Sequence, residues 1–316
     1  SSIASGGINS YTWTLNQGVQ SNAVNPVYTY SAANIYNITL TVTSNQGCVA
    51  SGANTLQIFP QAVPDFSFTN VCFNNSTAFT GTATVSSGSV TGFNWDFGDG
   101  SFANTANTSH VYANSSGYNV TFSTTTNNNC VSSVTKTLTI FPLPAVSFSS
   151  NTVCQNNITY FSDLTSIPNP NTLQSWTWNF GDASSSGIQN PPHTYSIYGT
   201  YTPTLTVTSN QGCVNTATGT VIVHPLPNLL FGPPSACVGT VIQFTNSSSI
   251  PIGTINSYTW AFGNGNTSNF INPTYLYPTY GTYNVTLTAL SNQGCSSTGS
   301  QTLAIHPSPG GTVTPV

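Results

Sequence analysis

Four tryptophans constrain this sequence more than any other feature. Trp13, Trp95, Trp178 and Trp260 stand 82, 83 and 82 residues apart. Twenty-three residues after each lies a tyrosine (Tyr36, Tyr118, Tyr201 and Tyr283), and twelve further on a cysteine (Cys48, Cys130, Cys213 and Cys295). The spacings agree in all four copies, so insertions are confined to loops elsewhere. A chain with this period folds as repeated small units, not around one large core. Within a unit, "TYNVTLTAL" and "TYTPTLTVT" alternate apolar and polar residues with the period of two of a half-buried strand. "SNQGC" then supplies a tight turn, and a second alternating run such as "TKTLTIFP" closes the unit. Stiff proline-rich junctions follow: "IFPQAVP", "IFPLPAV", "IVHPLPN" and "AIHPSPG". No segment has a helical period. The fold class is all-β, a linear array of β-sandwiches.

Composition narrows the function. Charged residues make up 2% of the 316, against about 25% in an ordinary soluble domain. There is one lysine, and there is no arginine, glutamate or methionine. Enzymes place titratable groups where charge develops, and nucleic-acid binders need basic surface. Neither resource is present, so the sequence predicts no catalytic residue, no cofactor, no metal and no nucleic-acid partner. No apolar run approaches the roughly 20 residues of a membrane span. Apolar residues at 38% and aromatics at 12% nevertheless suffice to build cores. The surface is then Ser, Thr, Asn, Gln and Gly, with little net repulsion, which suits a protein of an assembly or matrix. Without a methionine, Ser1 reads as the start of a mature or excised piece.

Asp96 and Asp99, in "FNWDFGDGS", are two of five acidic residues. They suggest an acid–base pair or half of a calcium loop. The internal copies argue otherwise. Thr14, Asn179 and Ala261 stand where Asp96 does, and Gln17, Asp182 and Asn264 where Asp99 does. A catalytic acid does not survive replacement by alanine, whereas a turn residue does. The turn motif is therefore Asp96, Gly98, Asp99 and Gly100, with glycines at 181 and 263 in the same role. The alternative is a calcium site in the second repeat alone. Trp13, Trp95, Trp178 and Trp260 are expected as core anchors, with a sugar-stacking platform as the alternative. His110 and His193 align with Tyr28 and Tyr275, and His224 and His306 with Phe59 and Phe141, so the histidines read as flat fillers. Lys136 reads as an exposed strand residue.

"WDFGDG", "NPPHTY" and "YGTYTPTLTV" together resemble the PKD domain, an immunoglobulin-like module, over essentially the whole chain. The resemblance implies that Tyr36, Tyr118, Tyr201 and Tyr283 are tyrosine-corner residues and core anchors. The cysteines in "TNVCFNN", "NTVCQNN" and "PSACVGT", with those after "SNQG", resemble the long repetitive adhesins of gliding, type IX-secreting bacteria. PKD modules also occur in archaeal surface layers and as spacers in secreted chitinases and collagenases. Residues 1–60 are read as a repeat lacking its first two strands. Residues 61–142, 143–225 and 226–307 are whole repeats, and 308–316 is the first strand of a following one. The chain thus reads as a window on a longer array. The other possibility is that the final strand completes another copy.

Seven cysteines in a chain that reads as secreted imply disulfides. In an immunoglobulin-like fold, Cys72, Cys154 and Cys237 precede the second strand at one end of each sandwich. Cys48, Cys130, Cys213 and Cys295 precede the last strand at the other end. Strands of about eight residues, roughly 25 Å, separate the ends, while bridged Cα atoms lie within about 7 Å. That disfavours Cys72–Cys130 and Cys130–Cys154. It favours bridges between stacked neighbours, Cys72–Cys213 and Cys154–Cys295. Cys48, Cys130 and Cys237 are then unpaired within the chain.

The expected function is an extracellular, cell-surface, non-enzymatic rod or filament segment. Its partners are neighbouring repeats, other copies in a filament, and a surface glycan or cell-surface ligand. The alternative is a spacer or carbohydrate-binding region of a secreted multidomain hydrolase.

Overall fold

The computed structural model describes residues 6–232 and 234–309. All regular structure in them is β, and no helix is long and apolar enough to cross a membrane. The chain divides into two compact units, Ser1–Pro142 and Leu143–Val316. Each contains two of the sequence repeats.

In the first unit, residues 61–142 form a two-sheet sandwich. One sheet runs in the order Asn107–His110, Thr77–Thr84, Val63–Ser67. The other runs Val71–Cys72, Val131–Phe141, Gly117–Thr126, Val90–Asp96, Phe102–Ala103. Alternation sets the faces: along Gly117–Thr126 every second residue, from Val120 to Thr126, is buried. Trp95 lies between the sheets, with Phe66 of the first strand 5.1 Å and Phe79 of the second 5.4 Å from it.

In the second unit, residues 143–225 and 226–307 follow the same strand order, with the larger sheet of the third repeat and the smaller sheet of the fourth each divided in two. Trp178 meets Phe148 and Phe161 at 5.0 and 5.2 Å. Trp260 meets Phe231 and Phe244, both at 5.4 Å. Trp95, Trp178 and Trp260 are all 0% exposed. Each indole N–H donates to a backbone carbonyl, of Thr105, Gln189 and Phe270 respectively. This pairing is what permits full burial of an indole.

Residues 6–59 form a single sheet, Val19–Ser21, Ile8–Asn16, Asn34–Ser44, Val49–Ile58. The core-anchor expectation needs correction here. Trp13 is only half-buried, because among the described residues no Phe-bearing first and second strands lie over it. Its indole N–H has no acceptor among the described residues. Leu56 is 37% exposed, against 0% for its counterpart Leu138 and 1% for Leu303.

The four tyrosine anchors need a smaller correction. Tyr36, Tyr118, Tyr201 and Tyr283 are half-buried, not central. Their hydroxyls donate to the carbonyl four residues upstream, of Ala32, Asn114, Ile197 and Thr279. Lys136 is not a free surface residue: it pairs with Asp65 at 2.7 Å and donates to the Phe66 carbonyl, tying the last strand to the first. Residues 310–316, most of the expected extra strand, lie outside the described residues.

Candidate functional site: the aspartate turn and its histidine

The turn after the tryptophan strand is built from backbone-directed side chains. The Gly98 N–H donates to Asp96 Oδ1 at 2.9 Å, and the Ser101 N–H to Asp99 Oδ1 at 3.0 Å. Such Asx contacts let a short polar residue replace missing ladder bonds. Gly98 has φ 76°, and a Cβ there would meet the Asn119 carbonyl oxygen at 2.6 Å. Both the dihedral and the close approach require glycine.

The second carboxylate oxygen of Asp99 lies 2.6 Å from His110 Nε2. The imidazole stacks on Phe97 at 4.4 Å and meets the edge of Tyr112 at 4.6 Å. The third repeat has the same arrangement, with His193 2.8 Å from Asp182 and stacked on Phe180 at 4.1 Å. In the fourth, Asn264 Nδ2 donates to the Tyr275 hydroxyl at 2.9 Å, and Tyr275 stacks on Phe262 at 4.2 Å. The filler reading of His110 and His193 was thus incomplete: they fill, and they also lock the turn. His224 and His306 have no such carboxylate partner among the described residues.

Partial burial pushes the Asp99 carboxyl up. Hydrogen bonds from His110 and Ser101, with attraction to His110, outweigh that and hold it below the usual carboxylate value. Burial opposes, and contacts from Ser184 and His193 likewise lower, the Asp182 carboxyl.

Ser184, Asp182 and His193 lie close together but do not form a nucleophilic triad. A triad uses the two imidazole nitrogens for different partners. Here Ser184 Oγ, at 3.4 Å, and the carboxylate, at 2.8 Å, both face Nε2, and the hydroxyl donates to Asp182. No group of three metal-ligating side chains occurs among the described residues.

One set of residues went unread in the sequence. Tyr112, Tyr195 and Tyr277 are at most 2% exposed. Their hydroxyls donate to the carbonyls of Phe97, Phe180 and Phe262 at 3.2, 3.0 and 2.9 Å, and desolvation pushes their phenols up. Tyr112 and Tyr195 stack on their tyrosine-corner neighbours Tyr118 and Tyr201, both at 4.1 Å, and Tyr277 lies tilted against Tyr283 at 4.2 Å. The signal was available: with Tyr30, they recur seventeen residues after each tryptophan.

Within the second unit, Cys154 is bonded to Cys295, with Cα atoms 5.6 Å apart. This covalently joins the third and fourth repeats. Cys48, Cys130 and Cys237 are free thiols. Cys72 and Cys213, the other expected pair, belong to different units.

Comparison with known proteins gives short, specific likenesses. The pre-pro-metalloprotease PrtV of Vibrio cholerae is 43% identical over 67 residues, 21% of this chain and 7% of that protein. A microbial collagenase of Vibrio alginolyticus is 39% identical over 70 residues, 22% of this chain and 8% of that protein. The chain therefore matches only a small part of either relative. Among solved structures, the PKD1 domain of PrtV is 34% identical, covering 27% of this chain and 99% of that domain, with a TM-score of 0.23. The PKD-domain family matches residues 1–59, 60–141, 142–223 and 222–306. With nearly its whole length so matched, the chain belongs to the PKD-domain family, as four such domains in tandem.

Proposed function

We propose that this chain is a non-catalytic spacer region of a secreted multidomain hydrolase. The observation that carries the reading is the likeness of single repeats to stretches of a metalloprotease and a collagenase. The chemistry of the turn supports it: its carboxylates and imidazoles hold backbone and each other. The Cys154–Cys295 bridge supports an oxidising, extracellular setting and a stiffened connection between repeats.

The second reading is an adhesive or filamentous surface rod. It is favoured by the free Cys48 and Cys237, which occupy the places of bridging cysteines, and by the nearly uncharged surface. Cys72–Cys213, proposed as the counterpart of Cys154–Cys295, fits either reading.

The test is to isolate the native secreted polypeptide and identify what is contiguous with residues 1–316 by tandem mass spectrometry. A hydrolase domain in the same polypeptide is the expected result. A polypeptide made only of further repeats would overturn the spacer reading in favour of the rod.

A further inference from the structure

The sheet of residues 6–59 leaves a groove of about 340 Å³, lined by Trp13, Leu15, Pro26, Tyr28, Tyr30 and Leu56. Two further observations bear on what could cover it. In the three complete repeats the strand that follows the turn loop pairs with the second strand: Asn107–His110 with Thr77–Thr84, Pro192–Thr194 with Ile158–Asp163, and Thr274–Leu276 with Val241–Gln243. The corresponding residues 25–28 form no strand. The buried Trp13 N–H, unlike those of Trp95, Trp178 and Trp260, has no acceptor among the described residues, and a buried donor left without a partner is unfavourable.

The internal copies say what fits there. The covering segments share one pattern: a phenylalanine, a cysteine six residues later, and a second phenylalanine seven after that. The instances are Phe66, Cys72, Phe79; Phe148, Cys154, Phe161; and Phe231, Cys237, Phe244. In each, both phenylalanines pack on the tryptophan. The cysteine has a defined destination. Cys154, in the covering segment of the third repeat, is bonded to Cys295 of the fourth. Cys130 holds in the second repeat the position of Cys295, and it is free. In the repeat before it, no such segment lies over the sheet among the described residues.

We propose that the open face of residues 6–59 takes up a two-stranded segment of this Phe-x5-Cys-x6-Phe pattern, whose cysteine then forms a disulfide with Cys130. Its phenylalanines close over Trp13, and its second strand gives residues 25–28 a partner. In the bonding step, Cys130 and the segment's thiol together give up two protons and two electrons to one oxidised glutathione. One S–S bond forms between them, and two molecules of reduced glutathione leave.

The probe is a synthetic peptide of residues 145–166, incubated with the full chain in a glutathione redox buffer. The expected product is a mixed disulfide at Cys130, although Cys130 is partly buried while Cys48 and Cys237 are exposed. A peptide carrying Phe148→Ala and Phe161→Ala should lose this selectivity. Because a free peptide can bind too weakly to be trapped, a second form joins residues 226–247 directly to Ser1. This continues the register, since Ser248 is the counterpart of Ser1. Hydrogen exchange along Asn34–Ser44 should then slow on the order of tenfold or more, towards that of Gly281–Ser291. Adducts that follow exposure, at Cys48 and Cys237, together with unchanged exchange in the fused chain, would overturn the proposal. So would a dimer of the chain alone in which Asn34–Ser44 is already protected, because it assigns the face to a second copy.

Discussion

Trp13 and Trp260 occupy the same strand position, in the same register, and meet opposite fates. Trp13 pairs with Leu40 and Trp260 with Leu287, and both strands carry the same irregularity near their start, at Ile8/Ser10 and Ile255/Ser257. Yet Trp260 is fully buried and bonded to a backbone carbonyl, whereas Trp13 is half-buried and unbonded. The comparison separates two levels of the fold. Strand pairing among Val19–Ser21, Ile8–Asn16, Asn34–Ser44 and Val49–Ile58 depends on alternation and turns and forms without a second sheet. Burial of the ring and the strand after the loop go with the two preceding strands, which in the fourth repeat carry Phe231 and Phe244 and pair with Thr274–Leu276.

The sharpest way to break this comparison is to delete the ring at both positions. Trp260→Ala removes a fully buried indole and is expected to cost roughly 3–5 kcal/mol. That is comparable to the whole stability of a small domain. Trp13→Ala removes a ring already facing solvent on one side and should cost about 1 kcal/mol. Hydrogen exchange resolved by repeat measures both in one chain. Equal losses would mean that the face over Trp13 is covered in solution.

Much of this was legible because the sequence is its own alignment. The fold class followed from Trp–Tyr–Cys spacing and two-residue alternation. The turn role of Asp96 followed from Ala261 standing in its place. The Cys154–Cys295 bridge is the pairing to which strand topology led. Other features were harder to read. The His110–Asp99 contact was hidden by the exchange of His for Tyr275, which suggested mere filling. The exchange is concerted: Asp–His becomes Asn–Tyr, and the hydrogen bond survives with its charge removed. Reading such a swap needs both positions considered together, and nothing local marks residues eleven apart as partners. Lys136 looked exposed because its copies are Asn54, Gly219 and Gln301. Its bond to Phe66 crosses 70 residues of chain.

The swap provides a second, smaller test, in acid. Asp99 and Asp182 have folded-state pKa values held below the ordinary one. A depressed carboxylate contributes stability that is present above its unfolded pKa, near 3.9. That contribution is lost as pH falls through the folded value. The second and third repeats should therefore lose stability below about pH 4. The corresponding turn of the fourth repeat, with Asn264 and Tyr275, should not contribute to such a loss. The double variant Asp99→Asn/His110→Tyr is expected to fold at neutral pH within about 1 kcal/mol of the parent. It should also remove the contribution of this pair to the acid response of the second repeat. Unfolding of that repeat, followed by exchange between pH 2.5 and 7, measures it. An unchanged acid response in the double variant would show that the pair does not report on folding.

The smallest effect is expected at the residue that first looked catalytic. Asp96 accepts one bond, from the Gly98 N–H at 2.9 Å, and Asn179 accepts the same bond from Gly181. In the fourth repeat Ala261 cannot accept one, yet Gly263 keeps its positive φ of 80° and Phe262 still bonds the Asn266 carbonyl at 3.0 Å. The turn therefore forms with or without the side chain, and the carboxylate adds only an exposed hydrogen bond. Asp96→Ala should cost about 0.5–1 kcal/mol, and the reverse change, Ala261→Asp, should stabilise by a similar amount or less. Repeat-resolved exchange on the two variants is the measurement. A loss at Asp96 approaching that of Trp260→Ala would mean that this carboxylate holds more than the Gly98 amide, and the turn reading would have to be abandoned.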